Sequence, residues 1–117
     1  MFGTTPSPVQ KRWHDLLAQV IGCVCCAADG HGFNSYVSIH HIDGRTKPDA
    51  HWLVLPLCEP HHQDNGAALA VHPHKRRWEA HYGAQEQVLK GIAEELLRLG
   101  HDVPARVLEL TGLEIAA

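Results

Sequence analysis

Two short spacings of metal-ligand residues constrain this chain more than any other feature. Cys23 and Cys26 form a C-x-x-C, and Cys58 and His61 form a C-x-x-H. A structural zinc ion is held in a tetrahedron by four cysteine or histidine side chains, and each spacing can aim two of them at one point. The four residues are therefore predicted to bind one structural zinc ion that ties the end of a first helix to the end of a hairpin.

The remaining cysteine, Cys25, leaves two alternatives open. It is either a spare thiol or a replacement for Cys26 in the ligand set. A redox-active C-x-x-C is the competing interpretation, but such pairs usually follow a strand and open a helix. A thiol redox protein is disfavoured further because Cys58 pairs better with His61 than with another thiol.

The fold expected around this zinc site is a small α+β domain. Helical periodicity runs over residues 8–21, short β-rich runs cover 36–42 and 52–57, and amphipathic helical patterns follow after residue 75. A chain of 117 residues can bury only a modest core, so a bound metal ion would add to the stability of the fold. We predict a single domain over residues 1–117, with a metal core of one hairpin at about 22–83, an N-terminal helix at 8–21 and C-terminal helices at 85–111.

Charge and hydropathy narrow the classes of function. With 10 basic and 13 acidic residues the net charge is −3, which argues against nucleic-acid binding by bulk electrostatics, although basic clusters remain. The N-terminal stretch has no charged region followed by an apolar one, and no apolar run is long enough to cross a bilayer. We therefore expect a cytoplasmic protein that does not associate with membranes.

Eleven histidines in so short a chain point to chemistry beyond the structural zinc. His40 and His41 end the first predicted strand, and His62 directly follows the zinc ligand His61, so that its side chain should point away from the zinc. We predict that His40, His41 and His62 gather in a second, open metal site that leaves room for a phosphate oxygen and water.

This layout resembles the HNH, or ββα-metal, endonucleases, which are built on a treble-clef zinc scaffold. The resemblance implies that His40 is a ligand of the catalytic metal, His41 is the general base and His62 is the second ligand. Many members of that family carry asparagine between the histidines, and here Asp49 and His51 are the candidates for that middle role.

A narrower resemblance covers about residues 22–83. The strings H-H-I-D-G-R-T-K-P-D-A-H, L-P-L-C-x-x-H-H, H-P and W-E-A-H-Y-G are similar to the phage recombination-enhancement nucleases, which are RecA-dependent HNH enzymes. The resemblance implies hydrolysis of DNA phosphodiester bonds, in single strands or recombination intermediates, with the RecA filament as a partner. It also implies Mg²⁺ or Mn²⁺ at the catalytic site, whereas imidazole ligands suit Zn²⁺, Ni²⁺ or Mn²⁺.

Several lesser candidates complete the predicted site. His72 either reaches the catalytic metal or lies at a helix end. Five basic residues are candidates for contacts with the DNA backbone: Arg45, Lys47, Lys75, Arg76 and Arg77. The alternative function is a non-catalytic treble-clef module that binds nucleic acid or protein, and such a module has no need of His41 and His62 beside its zinc ligands.

Overall fold

The computed structural model describes residues 4–113 of the chain, and within that range the fold is α+β, as predicted. In this part of the chain, one antiparallel hairpin is surrounded by helices. The elements, in chain order, are α1 (Pro8–Leu16), α2 (Val24–Ala28), β1 (Ser38–His41), β2 (Val54–Leu57), α3 (Glu59–His62), α4 (Val71–Tyr82), α5 (Gln85–Arg98) and α6 (Ala105–Thr111). Over the same residues, no helix combines the length and the apolar character that a membrane span requires.

Helix α1 begins with a capping box. The Ser7 hydroxyl accepts a hydrogen bond from the Gln10 backbone N–H at 3.2 Å, and the Gln10 side chain accepts one from the Ser7 N–H at 2.8 Å. Pro8 occupies the first turn, where the N–H that it lacks has no helical partner. Local sequence therefore fixes the start of this helix without help from the rest of the fold.

The end of this first helical segment delivers the first cysteine to its place. After α1 the chain continues as a π-helical turn, Leu17–Ile21, which stops at Gly22 with φ of +67°. A Cβ at Gly22 would lie 2.6 Å from the Asn34 carbonyl oxygen, so a larger residue would clash there. The same Asn34 oxygen accepts a hydrogen bond from the Cys23 N–H at 2.8 Å. Glycine thus lets the chain turn and dock Cys23 against the following loop.

The hairpin is shorter than the sequence predicts. Strands over 36–42 and 52–57 are expected from composition, but β1 and β2 each span four residues. Local turns take the missing backbone groups: the Tyr36 N–H bonds the Asn34 side chain, and the Trp52 N–H bonds the Asp49 carbonyl. In the antiparallel register, His40 faces Leu55 and His41 faces Val54 across the ladder.

Strand β2 is the centre of the core, and β1 is its outer edge. All four residues of β2 are buried, and helix α5 packs against that strand. Trp13 and Trp78 are both buried, together with Leu89 and Leu96 of α5. Within the described residues β1 pairs only with β2, so its histidines stand at the edge of the sheet, beside the neighbouring helices.

Helix α4 starts irregularly. His72 and His74 have non-helical backbone angles, and regular helix runs on from there to Tyr82. Gln63, which follows α3, forms an isolated parallel bridge with His72 at the start of α4. The Asp64 N–H donates to the His72 carbonyl at 2.9 Å. This pairing ties the beginning of α4 to the end of α3, which carries His61 and His62.

Candidate functional site

The four residues of the two ligand spacings converge on one buried point. The ligand atoms of Cys23, Cys26, Cys58 and His61 all lie within 4.8 Å of one another. The Cys26 and Cys58 sulfurs are 3.7 Å apart, and His61 Nδ1 lies 3.1 Å from the Cys58 sulfur. A zinc tetrahedron with Zn–S bonds of about 2.3 Å has S–S edges of about 3.8 Å. The donor set therefore fits a zinc ion in both chemistry and size.

The surroundings of the cluster favour a thiolate at Cys23, whereas burial raises the pKa of Cys58 to about 12. The Cys26 N–H donates to the Cys23 sulfur at 3.5 Å, and the Asn34 side chain donates to the Cys26 sulfur at 3.7 Å. A hydrogen bond from the Cys25 thiol lowers the pKa of Cys23 to about 4. All four cysteines are free, and Cys25 lies outside the cluster. Of the two alternatives for Cys25, the geometry favours the spare thiol, because Cys26 and not Cys25 belongs to the cluster.

The Asp29 carboxylate lies beside the His61 ring nitrogen that faces away from the sulfurs. While His61 Nδ1 faces the sulfurs, His61 Nε2 lies 3.5 Å from the Asp29 carboxylate. Tyr82 donates its hydroxyl to the same carboxylate at 2.6 Å, and this hydrogen bond lowers the pKa of Asp29. A carboxylate on the far nitrogen of a ligand histidine orients the ring and makes it a better donor. Sequence spacing gave no sign of this residue.

We expect Asp29→Asn to weaken zinc binding by roughly 10–100-fold, the usual cost of losing such an outer partner. The neutral amide keeps the shape of the side chain but loses its charge. Competition for zinc with a chromophoric chelator measures the change, and Asp15→Asn, an exposed position on α1, is the matched control. An unchanged zinc affinity in Asp29→Asn would show that the carboxylate does not support His61.

Three other histidines form a second cluster on the open side of the hairpin. His40, His62 and His72 each offer a ring nitrogen, and these nitrogens all lie within 4.8 Å of one another. The ring centroids are 5.0–5.3 Å apart. His40 is buried, His62 is half-buried and His72 is exposed. The cluster is thus closed on the side of the core and open to solvent on the other.

Hydrogen bonds outside the cluster fix which nitrogen two of these rings present. His40 Nε2 lies 2.7 Å from Oε1 of the buried Gln85, which can only accept, so Nε2 carries the proton and Nδ1 is left as a ligand. His62 Nδ1 lies 2.8 Å from the Ser38 hydroxyl, which itself donates to the Leu57 carbonyl. His62 therefore donates from Nδ1 and keeps Nε2 free. Each neutral ring thus keeps one nitrogen available to a metal ion.

The third member of this cluster is His72, which the sequence offered either as a metal ligand or as a helix-end residue. The sequence predicts that His41 converges with His40 and His62, but His72 takes that place, carried there by its bridge to Gln63. The strand alternation explains the difference, because neighbouring residues of β1 point to opposite faces. His40 turns towards α5, and His41 turns towards the loop between the strands.

On that other face, His41 pairs with a second histidine. His41 Nε2 lies 3.0 Å from His51 Nδ1, and the ring centroids are 5.0 Å apart. Burial, together with the nearby His51 and Arg45, lowers the pKa of His41 to about 4. Burial likewise lowers the pKa of His40 to about 4. Both imidazoles are therefore neutral near pH 7, the state that a ligand or a general base requires.

A pocket of about 380 Å³ joins the two groups of histidines. His40, His41, His62 and His72 all line it, so the base candidate and the ligand candidates border one cavity even though their rings do not form one cluster. Arg45 lies at the same pocket and places a positive charge there. The cavity thus combines ligands, a neutral imidazole and a guanidinium.

The remaining predicted site residues lie around this pocket or apart from it. Asp49 is apart: its carboxylate accepts two hydrogen bonds from Arg106 at 2.9–3.0 Å, and it does not line the pocket. Lys75 is close enough to His40 to lower its pKa. The five candidates for DNA contacts are all exposed: Arg45, Lys47, Lys75, Arg76 and Arg77.

Three supporting residues were missed by reasoning from the sequence: Ser38, Gln85 and Asp29. Each acts through a contact between distant parts of the chain; Gln85, for example, lies 45 residues from His40. Gln85 is unusual because a glutamine is rarely buried, and it stands at the start of an amphipathic helix. Its burial becomes apparent only when that helix is seen to pack against β2.

One comparison with known proteins bears on this arrangement. Residues 6–98 match the family model described as recombination enhancement, RecA-dependent nuclease. The matched range contains both histidine and cysteine clusters and every residue that lines the pocket. Most of the described chain is therefore covered by that one family.

Proposed function

Because the chain belongs to the family of recombination enhancement, RecA-dependent nucleases, we propose that it is a metal-dependent endonuclease of the HNH type that hydrolyses DNA phosphodiester bonds. The observation that carries the proposal is the single pocket lined by His40, His62, His72, His41 and Arg45. A pure binding module needs no open imidazole cluster facing a neutral histidine. The family name supports DNA as the substrate and RecA as the partner.

The order of elements supports the ββα-metal arrangement as part of this proposal. β1 and β2 form the hairpin, and α3 follows β2 after one residue, Cys58. The cluster of Cys23, Cys26, Cys58 and His61, called the thiol cluster below, links α2 to this unit as the zinc site of a treble clef would. We propose that the structural ion is zinc and that it fixes α3, so that His62 faces the pocket.

In the proposed reaction His41 is the general base. Its Nε2 is engaged by His51, so Nδ1 takes the proton from a water molecule. The water oxygen bonds to phosphorus as the bond to the 3′ oxygen breaks. A 5′-phosphate results, and the 3′ oxygen becomes a hydroxyl with a proton from solvent. Arg45 contacts a phosphate oxygen and holds the scissile group against the histidines.

His40, His62 and His72 would hold the catalytic metal. When bound, this ion supplies positive charge that polarises a non-bridging phosphate oxygen and stabilises the departing 3′ oxygen. The donor set consists of three imidazoles without a carboxylate, which suits Zn²⁺ and similar first-row transition ions better than Mg²⁺. We therefore propose a first-row transition ion rather than Mg²⁺.

A cleavage assay tests the proposed function. Circular single-stranded DNA and supercoiled plasmid are incubated with the full chain and Mn²⁺, Zn²⁺ or Mg²⁺, with and without RecA filaments, and nicking is followed on gels. We expect nicking with Mn²⁺ or Zn²⁺ and its stimulation by RecA filaments. Binding of DNA without cleavage under every condition would replace the nuclease by the non-catalytic module, and cleavage with Mg²⁺ alone would refute the proposed metal.

We expect His72→Ala to raise the metal concentration needed for half-maximal cleavage by more than about tenfold, since it removes one of three ligands. His72 is exposed, so the fold should survive. Titrating Mn²⁺ in the nicking assay measures the shift. The matched control is His74→Ala, two residues further on, whose ring contacts Asp64 instead. Equal metal requirements in the two variants would remove His72 from the ligand set.

A further inference from the structure

We propose that His51 is a positioning residue that holds the His41 ring in the orientation in which Nδ1 faces the substrate. The inference rests on the proposed function, because it assigns the partner of the proposed base. His51 is 3% exposed and lies at the end of the loop between the strands. His51 does not line the pocket, so it acts through His41.

His41, His51 and Thr4 form a series of hydrogen bonds, and the direction of each bond follows from the Thr4 carbonyl group at its end. His51 Nε2 lies 2.7 Å from the Thr4 carbonyl oxygen, which can only accept, so His51 donates from Nε2. A neutral imidazole has one N–H, and His51 Nδ1 is therefore an acceptor. His41 must donate its Nε2 proton across the 3.0 Å contact, which leaves the Nδ1 lone pair of His41 directed elsewhere.

His51 is itself held from several sides. Its carbonyl oxygen lies 2.7 Å from His14 Nε2, so helix α1 fixes the backbone of His51 while Thr4 fixes its ring. The Thr4 N–H in turn reaches the Arg45 carbonyl at 3.4 Å. The segment before α1 thus connects the orientation of His41 with the loop that carries the phosphate-binding Arg45.

Such an arrangement matters because general-base catalysis depends on orientation. A ring free to rotate about its side-chain bonds presents Nδ1 to water only part of the time, and misplacement by about 1 Å can cost roughly 100-fold in rate. Proton transfer to Nδ1 leaves the Nε2–H bond to His51 in place. The same contact therefore serves His41 before and after the transfer.

The kinetic test compares His51→Leu with His51→Gln. Leucine fills the space without an acceptor, whereas glutamine offers both an acceptor for His41 and a donor for the Thr4 carbonyl. We expect kcat of His51→Leu to fall by roughly 10–100-fold with little change in KM for DNA, and His51→Gln to recover most of the loss. His31→Ala, in an exposed loop, is the control. A kcat for His51→Leu equal to that of the wild type overturns the proposal.

A spectroscopic test does not depend on cleavage. In ¹⁵N-labelled protein the Nε2–H proton of His41 should be visible because its hydrogen bond slows exchange with water, and His41→Ala assigns the signal. The signal should vanish in His51→Leu and persist in His51→Gln.

If His51→Leu does not fold, His51→Asn, whose shorter amide cannot reach both partners, replaces it in both tests. A wild-type protein that shows the signal but never cleaves would refute the nuclease and leave the pairing intact, whereas a cleaving wild type without the signal would refute the pairing alone.

Discussion

Removing the metal from the thiol cluster is expected to unfold most of the chain. Four ligands on α2, α3 and their flanking residues meet at one point, and their convergence links the N-terminal helix to the hairpin. Zinc binding of this kind contributes about 10–16 kcal/mol of apparent free energy. A small domain has a total stability of only about 5–15 kcal/mol. Without an ion at this cluster, the protein should therefore lack a stable native state.

Cys58→Ala and exposure to a strong chelator should give the same result by circular dichroism and thermal unfolding: loss of the cooperative transition. Cys25→Ala is the matched control, because it removes a buried thiol that lies outside the cluster. A loss of about 1 kcal/mol is typical for such a change. A cooperative transition that survives in Cys58→Ala would mean that the core stands without the ion. A collapse of Cys25→Ala instead would make Cys25 the ligand.

The parts of the fold that the sequence predicts are those set by local chemistry. The Ser7–Pro8 start of α1 needs only its own side chains, and α5 follows from its apolar stripe. The four thiol-cluster residues were found because each ligand pair lies within one turn. Only the distance between the two pairs had to be supplied by the fold.

The histidine pocket was predicted less completely because non-local pairing builds it. Strand alternation already implied that His40 and His41 point apart, yet both were expected at one metal. His72, named from the sequence only as a lesser candidate, reaches the cluster through a backbone bridge to Gln63 that no side-chain pattern encodes. The role of His51 is of the same kind: its partner Thr4 lies 47 residues away and contributes a carbonyl group, which every residue has.

Replacing the proposed base is expected to have the largest effect on cleavage. His41→Ala should lower kcat by about 10²–10⁴-fold, the usual contribution of general-base catalysis. The affinity for DNA should stay close to that of the wild type, because Arg45 and the exposed lysines and arginines are unchanged. Single-turnover nicking measures the rate, and fluorescence anisotropy with labelled DNA measures binding.

The metal requirement separates a base from a ligand at this position. The His41 ring belongs to neither metal-binding cluster, so His41→Ala should leave the Mn²⁺ dependence of the residual rate unchanged, whereas His72→Ala should shift it. A His41→Ala enzyme whose rate is restored by more metal would make His41 a ligand. One as fast as the wild type would leave the pocket without a base, and the His41–His51 pair would then be a structural contact between the loop and β1.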